Sequence, residues 1–118
     1  MVSKVLLTTE KPWGYELLFA LTDQYAGKVL FVDKGRRLSL QYHKEKDETI
    51  YIHEGKVSLE IEVDGQMITY EMRSGSSVRV RPNTKHRVTA LEDTLLFEVS
   101  TPELYDVVRV DDDYGRKS

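Results

Sequence analysis

Short turn signals divide this sequence into segments of about ten residues each. Glycine, proline, asparagine and aspartate cluster at residues 33–35, 64–65, 74–75 and 82–84. The segments between these clusters are rich in β-branched and aromatic residues that alternate with polar ones. No window holds the i, i+3, i+4, i+7 apolar stripe of an amphipathic helix. The pattern predicts an all-β sandwich or barrel, with at most a helical turn at residues 102–105.

The chain is long enough for a single domain. Its 118 residues, of which 40% are hydrophobic, can bury an ordinary core without cross-links. We predict one domain over residues 1–118, with a core over 11–110 and a C-terminal segment, 111–118, that frays.

The composition excludes several classes of function. The sequence has no cysteine, so disulfides, thiolate metal sites and cysteine nucleophiles are excluded, and a metal would be held by nitrogen and oxygen. The net charge is −3 with both signs interspersed, which argues against a nucleic-acid partner. Because we find neither an apolar run of membrane-spanning length nor a signal-like N-terminus, we expect no membrane partner and a cytoplasmic location.

One connection is specified closely by its residues. Asp64 and Gly65 join two alternating runs and can adopt the positive φ angles of a type I′ hairpin turn. We expect this hairpin to be scaffold, with one face of its first strand buried in the core. The residues of that face are Val57, Leu59, Ile61 and Val63.

Residues 39–55 place potential metal ligands on two neighbouring strands. Because side chains alternate along a strand, Gln41 and His43 share one face. The turn through residues 44–47 is expected to be solvated, and Glu48 then begins a strand whose isoleucines mark the buried side. A carboxylate that points into a core needs a metal ion, a salt bridge or a proton to compensate its burial.

His86 begins a later strand and has small apolar residues on its face, so it also points inward. His53, by contrast, alternates to the outer face, where we expect a surface or interface histidine. The inward set offers nitrogen and oxygen ligands that a divalent ion could hold together. Its members are Gln41, His43, Glu48 and His86.

The spacing of these residues resembles the first motif of the cupin superfamily, G-x5-H-x-H-x4-E-x6-G. The residues in its fixed positions are Gly35, Gln41, His43, Glu48 and Gly55, with every interval intact and glutamine in place of the first histidine. A competing register would use Glu45 as a ligand beside His43. The distances to the two glycines fit only when Gln41 and His43 are the pair.

The second cupin motif, G-x5-P-x-G-x2-H-x3-N, is matched in its intervals by Gly75, Arg81, Asn83, His86 and Ala90. Three of these fixed positions are substituted. Asparagine in the place of the second glycine is mild, because it tolerates left-handed backbone geometry. The resemblance implies a single-domain cupin, which is a jelly-roll antiparallel β-barrel.

Within the superfamily, the chain resembles the cupin domain of type II mannose-6-phosphate isomerase/mannose-1-phosphate guanylyltransferase. The similar segments are "KPWGYE" at 11–16, "SLQYH" at 39–43 and "LYDVVRVDDDYGR" at 104–116. No glycine-rich phosphate loop is present, so we expect a free-standing cupin without the guanylyltransferase activity. Trp13 is interpreted as a packed anchor rather than a platform for a sugar.

The resemblance implies a metal-dependent isomerase of sugar phosphates, in which a divalent metal polarises the substrate carbonyl for proton transfer. Zinc is the expected metal, and manganese, iron or nickel are alternatives. The main alternative function is a non-catalytic cupin that binds a small sugar or acid, and a lesser one is a mononuclear metal dioxygenase. Replacement of a histidine ligand by Gln41 argues against the dioxygenase.

A phosphorylated substrate would need cationic side chains, and the candidates are Arg116, Arg109 and Arg81. No residue can be assigned as the general base. If Gln41 and His43 face the interior, Leu38, Leu40 and Tyr42 face outward as an apolar stripe that needs cover. We therefore predict a homodimer.

Overall fold

A computed structural model describes Val2 and residues 4–116, and in this part of the chain it contains strands and no helix. No helix that could cross a membrane therefore occurs there. The connection at 102–105 is a turn, closed by the Leu104 N–H, which donates to the Pro102 carbonyl at 2.8 Å. The strands are β1 (Leu7–Lys11), β2 (Gly14–Leu21), β3 (Ala26–Val32), β4 (Leu40–Tyr42), β5 (Glu48–Glu54), β6 (Lys56–Val63), β7 (Gln66–Arg73), β8 (Ser77–Val80), β9 (His86–Ala90), β10 (Thr94–Ser100) and β11 (Val108–Asp111).

These strands form two antiparallel sheets that pack face to face as a jelly roll. One sheet has the order β1-β2-β3-β10-β5-β8, and the other has the order β11-β4-β9-β6-β7. Strands that are distant in sequence, such as β3 and β10, are neighbours in space. The all-β fold predicted from the turn spacing is confirmed.

The core lies between the sheets and follows the period-two alternation of the strands. Val57, Leu59 and Ile61 of β6 are buried, opposite the inward residues of the other sheet. Trp13 is 4% exposed and packs within this core, as expected of an anchor, and it also lines the inner cavity described below. From the six-stranded sheet the main contributors are Leu30, Val32, Ile50, Ile52 and Leu96.

The β6–β7 hairpin has the predicted turn. Asp64 and Gly65 have φ angles of 50° and 79°, and Val63 pairs with Gln66 across a two-residue loop. These are the positive angles that a type I′ turn requires. The buried face of β6 ends at Ile61, however, since Val63 lies beside the turn and is 41% exposed.

We expected Leu38, Leu40 and Tyr42 to face outward, and this expectation is wrong for Leu38. This side chain packs against the core and lines the interior, while Ser39 beside it is fully buried. Alternation does not apply here because the regular strand begins only at Leu40. Leu40 and Tyr42 are half-buried, so the stripe does not present an exposed apolar surface.

The C-terminal segment is tied to the body of the protein over residues 111–116, although we expected it to fray. Tyr114 packs against the core, and the Asp113 carboxylate accepts from the Arg37 guanidinium at 2.6 Å. Residues 107–108 are half-buried, whereas Val110 is 49% exposed. Residues 117 and 118 lie outside the described residues.

We predict that Gly55→Ala destabilises the fold by about 2 to 4 kcal/mol, through a left-handed backbone and a steric clash. Gly55 has a φ of +102°, and an added Cβ would lie 2.5 Å from the Asp93 carbonyl oxygen. Gly65→Ala is the matched control, because Gly65 also has positive φ but meets nothing within 4 Å. It should lose only about 1 kcal/mol in urea unfolding. Equal losses in both variants would contradict the steric argument.

Candidate metal centre

Three buried side chains from both sheets meet between the strands. His43 follows β4, Glu48 begins β5 and His86 begins β9. Each offers one ligand atom, and these atoms all lie within 4.8 Å of one another. Their exposures are 3%, 2% and 3%, so each side chain is buried as its strand alternation predicted.

The His43 ring is oriented by the backbone of a distant segment. Its Nδ1 is 2.6 Å from the Asp106 carbonyl oxygen, which can only accept, so Nδ1 carries the proton in this hydrogen bond. Nε2 is then left with a lone pair, 3.0 Å from Glu48 Oε2. Nε2 has no hydrogen-bond partner although it is buried. A histidine held this way has the tautomer of a metal ligand.

His86 has the same arrangement on the opposite side of Glu48. Its Nδ1 donates to the Thr84 carbonyl at 2.9 Å, and its Nε2 lies 4.0 Å from Glu48 Oε2. Burial lowers the pKa of His86 below its ordinary value, which favours the neutral ring. Both imidazoles therefore direct unprotonated nitrogens toward one carboxylate.

Glu48 is the centre of this cluster. Burial raises the pKa of its carboxyl, but contacts with Glu98, His43, Lys46 and His86 outweigh burial and hold the pKa below its ordinary value. Without a cation or a proton between the groups, both Glu48 oxygens lack a hydrogen-bond partner. Unpaired carboxylate oxygens facing two imidazole lone pairs fit a divalent cation with nitrogen and oxygen ligands.

Backbone contacts bring the two motifs of this site together. Asn83 has a φ of 61°, the left-handed geometry expected from its motif position, and its N–H donates to the His43 carbonyl at 2.6 Å. Gln41 pairs directly with His86 between β4 and β9. The Gln41 amide oxygen accepts from the Ser39 hydroxyl at 2.7 Å, and the side chain lines the cavity above the cluster. Its role as a ligand stays a prediction.

The prediction of a solvated turn at 44–47 is wrong for Lys46. This side chain is only 6% exposed, and its Nζ lies 3.8 Å from Glu48 Oε2. Burial lowers the pKa of Lys46, but Glu98 and nearby carboxylates outweigh that effect and raise it. The Asp106 carboxylate fixes the turn by accepting from the backbone N–H groups of residues 44, 45 and 46. This clamp turns Lys46 inward, whereas Glu45 remains exposed as expected.

Glu98 is a site residue that the sequence analysis missed. It lies on β10 opposite Ile50, so it shares the inner face of the sheet with Glu48. Burial and the Glu48 carboxylate raise the pKa of Glu98 well above its ordinary value. The signal was present in the alternation of β10, because the buried residues Thr94 and Leu96 lie on the same face. The pair can therefore share one proton when no metal is bound.

A narrow inner cavity of about 100 Å³ lies above His43 and Glu98. It adjoins an outer cleft of about 350 Å³, with which it shares Lys11, Lys28 and Arg109. Of the expected substrate-binding arginines, Arg109 and Arg116 line the inner cavity. The charged residues around it are Lys11, Lys28, Lys46, Arg109, Arg116, Glu16 and Glu98.

The cavity carries an excess of positive charge, although the whole chain is negative. The Glu16 carboxylate bridges Lys11 and Lys28 at 3.2 and 3.0 Å. The Arg116 guanidinium makes a two-pronged contact with Asp112. Burial, followed by the Arg116 guanidinium, lowers the pKa of Arg109, and both side chains line the cavity. The cationic groups outnumber the carboxylates among the lining residues.

Arg81 and His53 lie away from this cavity. Arg81 is exposed and lines a separate groove between β6, β7 and β8, so it does not approach the cluster. The spacing of the second motif could not show that Arg81 lies away from the inner cavity, because this groove and the cavity open on different parts of the sandwich. His53 is exposed as expected, and its ring stacks on Phe97 at 5.2 Å on the outer surface.

The fold and this cluster define a β-sandwich protein with a candidate metal centre between its sheets. The family model "Cupin domain" matches residues 28–99, and the chain belongs to this family. No curated protein sequence matches the chain significantly. Family membership confirms the superfamily resemblance drawn from the two motifs, while the finer resemblance to an isomerase remains a prediction.

Several solved structures share the fold. KdgF from Halomonas sp. superposes with a TM-score of 0.66 and 21% identity, over 81% of this chain and 87% of that one. The capsular polysaccharide assembling protein CapF from Staphylococcus aureus gives 0.74 and 21%, over 88% and 30%. Oxalate decarboxylase from Lactobacillus farciminis gives 0.76 and 15%, over 89% and 33%. This chain therefore spans about a third of the last two proteins.

We predict that Asp106→Ala weakens metal binding about 10- to 100-fold, because it releases the turn that positions Lys46 and Glu48. The matched control is Asp93→Ala, since Asp93 also accepts one backbone N–H, from Lys34, but in a loop away from the cluster. Calorimetric titration with Zn²⁺ measures both affinities. Equal affinities in the wild type and in Asp106→Ala would contradict the positioning role.

Proposed function

We propose that this cupin is a metal-dependent isomerase of small phosphorylated sugars. The observation that carries the proposal is a cavity lined by cationic side chains that reaches His43, one member of the buried cluster with Glu48 and His86. The resemblance of the first motif to mannose-6-phosphate isomerases supports the same substrate class. Each part of the proposed reaction has a candidate residue among those that line the cavity.

The three buried ligands, with Gln41 as the proposed fourth, would hold the metal. Gln41 offers an amide oxygen, and the backbone carbonyls of Asp106 and Thr84 fix the imidazole orientations. Zinc suits this oxygen and nitrogen set, and manganese, iron or nickel remain alternatives. When bound, such an ion supplies Lewis-acid polarisation of a carbonyl oxygen.

The anionic end of the substrate would lie in the outer part of the site. Lys11, Lys28 and Arg109 line both the inner cavity and the outer cleft, so a phosphate there would contact ammonium and guanidinium groups. The narrow inner cavity would then receive the opposite end of the molecule. This arrangement orients the reacting carbons toward the buried cluster.

Glu98 is the residue placed to move a proton. It lines the inner cavity, stands beside Glu48 and is not a member of the proposed ligand set. Isomerisation of an aldose to a ketose requires a base to take a proton from the carbon next to the carbonyl and return it to the carbonyl carbon, while a second proton moves from the hydroxyl oxygen to the carbonyl oxygen. A carboxylate in this position could both take and return the first proton, because a metal bound at Glu48 would compensate the negative charge that raises the pKa of Glu98.

One observation favours a second candidate, a non-catalytic cupin that captures a small sugar or acid. The Lys46 ammonium lies 3.8 Å from the Glu48 carboxylate and supplies a buried positive charge without any metal. The basic cavity would then bind an anion without performing chemistry. Metal content and turnover distinguish the two candidates.

We predict that purified wild-type protein holds about one divalent metal per chain, on the ligand count of a single site. His43→Ala and His86→Ala should each reduce the content to near zero in elemental analysis, because each removes a buried ligand. His53→Ala is the matched control and should retain the metal, since His53 is exposed on the outer surface. If the wild-type protein contains no metal after loading, the metal-dependent proposal is wrong.

We predict that the metal-loaded protein interconverts mannose 6-phosphate and fructose 6-phosphate. Glu98→Gln should lower kcat by about 10²- to 10⁴-fold, because the amide cannot carry the proton. Its metal content should stay at the wild-type level, which separates proton transfer from metal binding. Glu54→Gln changes an exposed glutamate of β5 in the same way and should leave kcat unchanged.

Two outcomes would contradict this assignment. If the loaded wild type turns over neither sugar phosphate but binds them in calorimetry, the binding module is correct. If Glu98→Gln keeps full activity, another group moves the proton.

A further inference from the structure

The chain carries three consecutive aspartates where β11 ends, and the proposed function uses none of them. The first, Asp111, lies 3.3 Å from Arg87 Nη1. The third, Asp113, accepts from the Arg37 guanidinium at 2.6 and 2.8 Å. These two side chains are 63% and 39% exposed, so both ion pairs reach the surface. The middle one, Asp112, is different, because its side chain is only 4% exposed.

Asp112 holds Arg116 through three hydrogen bonds. Its carboxylate accepts from the Arg116 backbone N–H at 2.7 Å, and from Nε and Nη2 of the guanidinium at 3.0 and 2.9 Å. Gly115 has a φ of +70° in the turn between them, and its N–H donates to the Asp112 carbonyl at 3.3 Å. The turn and the two-pronged contact together fix both the backbone and the head group of Arg116.

Tyr114 supports the same guanidinium from a second direction. The tyrosine packs against the core, and the Arg116 Cζ atom lies over its ring, 5.4 Å from the centroid. A guanidinium on an aromatic face is held there by cation–π attraction. Because Asp112 occupies the edge formed by Nε and Nη2, the edge that includes Nη1 is the one left to contact a ligand. Arg116 lines the inner cavity, so the ligand for this edge is a molecule bound there.

The charge of Asp112 works against anion binding. Its hydrogen bonds with Arg116 hold the pKa of Asp112 below its ordinary value, so the carboxylate stays ionised at neutral pH. Burial, followed by the Arg116 charge, lowers the pKa of Arg109, and the Asp112 carboxylate acts against both effects. A negative charge this close to the cavity repels an anion through space. Charge and position therefore have opposite consequences, which an experiment can separate.

We propose that Asp112 is a positioning residue, which holds the Arg116 guanidinium in the orientation that binds the anionic group of the substrate. The inference rests on the proposed function, because it takes the substrate to be phosphorylated. Arg109 lines both the inner cavity and the outer cleft, and Arg116 contacts the phosphate from the inner side. A guanidinium that is already fixed loses little rotamer freedom when it binds a ligand. This advantage outweighs the repulsion from the Asp112 carboxylate.

Calorimetric titration of the full-length, metal-loaded protein with inorganic phosphate tests this role. Asp112→Asn keeps the shape of the side chain and removes its charge. Phosphate should bind about 10-fold more weakly because Arg116 is released, although charge alone predicts tighter binding to a site that has lost a carboxylate. In turnover of mannose 6-phosphate, KM should rise by a similar factor and kcat should change less than about twofold, because Asp112 does not touch the reacting atoms.

Asp113→Asn is the matched control. It makes the same change in charge at the next residue, but Asp113 contacts Arg37 in an ion pair that reaches the surface. The phosphate affinity of this variant should stay within about twofold of the wild type, because solvent screens an exposed charge. Circular dichroism and metal content should match the wild type in both variants, which shows that both are folded.

A double-variant cycle shows whether Asp112 acts through Arg116. Arg116→Gln alone should weaken phosphate binding about 10-fold or more, because it removes the guanidinium. Adding Asp112→Asn to Arg116→Gln should cause no further loss, because the side chain that Asp112 orients is already absent. Independent losses that add would show that Asp112 supports the site by another route.

Three results would overturn the proposal. They are an unchanged or higher phosphate affinity in Asp112→Asn, losses that add in the cycle, and a wild type that binds no phosphate. Failure of the proposed function gives a different result: phosphate binds and Asp112→Asn weakens it, but neither sugar phosphate is interconverted. Asp112 then positions Arg116 for the anionic ligand of a non-catalytic cupin.

Discussion

The buried carboxylate of Glu48 is the group on which the rest of the site depends. An ionised carboxylate away from water costs several kcal/mol unless it is paired with positive charge or hydrogen-bond donors. Here the Lys46 ammonium and a proton shared with Glu98 supply part of this compensation. The lone pairs of His43 and His86 face the same carboxylate and therefore call for a shared cation. A divalent metal satisfies the two histidines and the carboxylate together, which a proton or the lysine alone does not.

Asp106 connects this requirement to the end of the chain. Its carbonyl sets the tautomer of His43, and its carboxylate accepts from three backbone N–H groups of the turn that carries Lys46. Residues 107–116 then continue into β11 and the packed Tyr114, so the same segment that orients a ligand also supplies Arg109 and Arg116 to the cavity. The same C-terminal segment therefore completes the fold and positions side chains of the site.

Strand periodicity and turn chemistry predicted much of this. The inward positions of His43, Glu48 and His86 followed from alternation, and the left-handed geometry of Asn83 followed from its tolerance of positive φ. The failures lie where alternation does not govern the backbone. Leu38 precedes its regular strand, and Lys46 lies in a turn whose direction is fixed by a hydrogen bond from sixty residues away in the sequence.

The sequence by itself determined the all-β jelly roll and the inward direction of the three buried ligands, because both depend on local periodicity and turn residues. Only the tertiary structure decided which charges surround those ligands. Glu98 approaches Glu48 because β10 lies beside β5, and Arg81 is excluded because its part of the sandwich opens into a different groove.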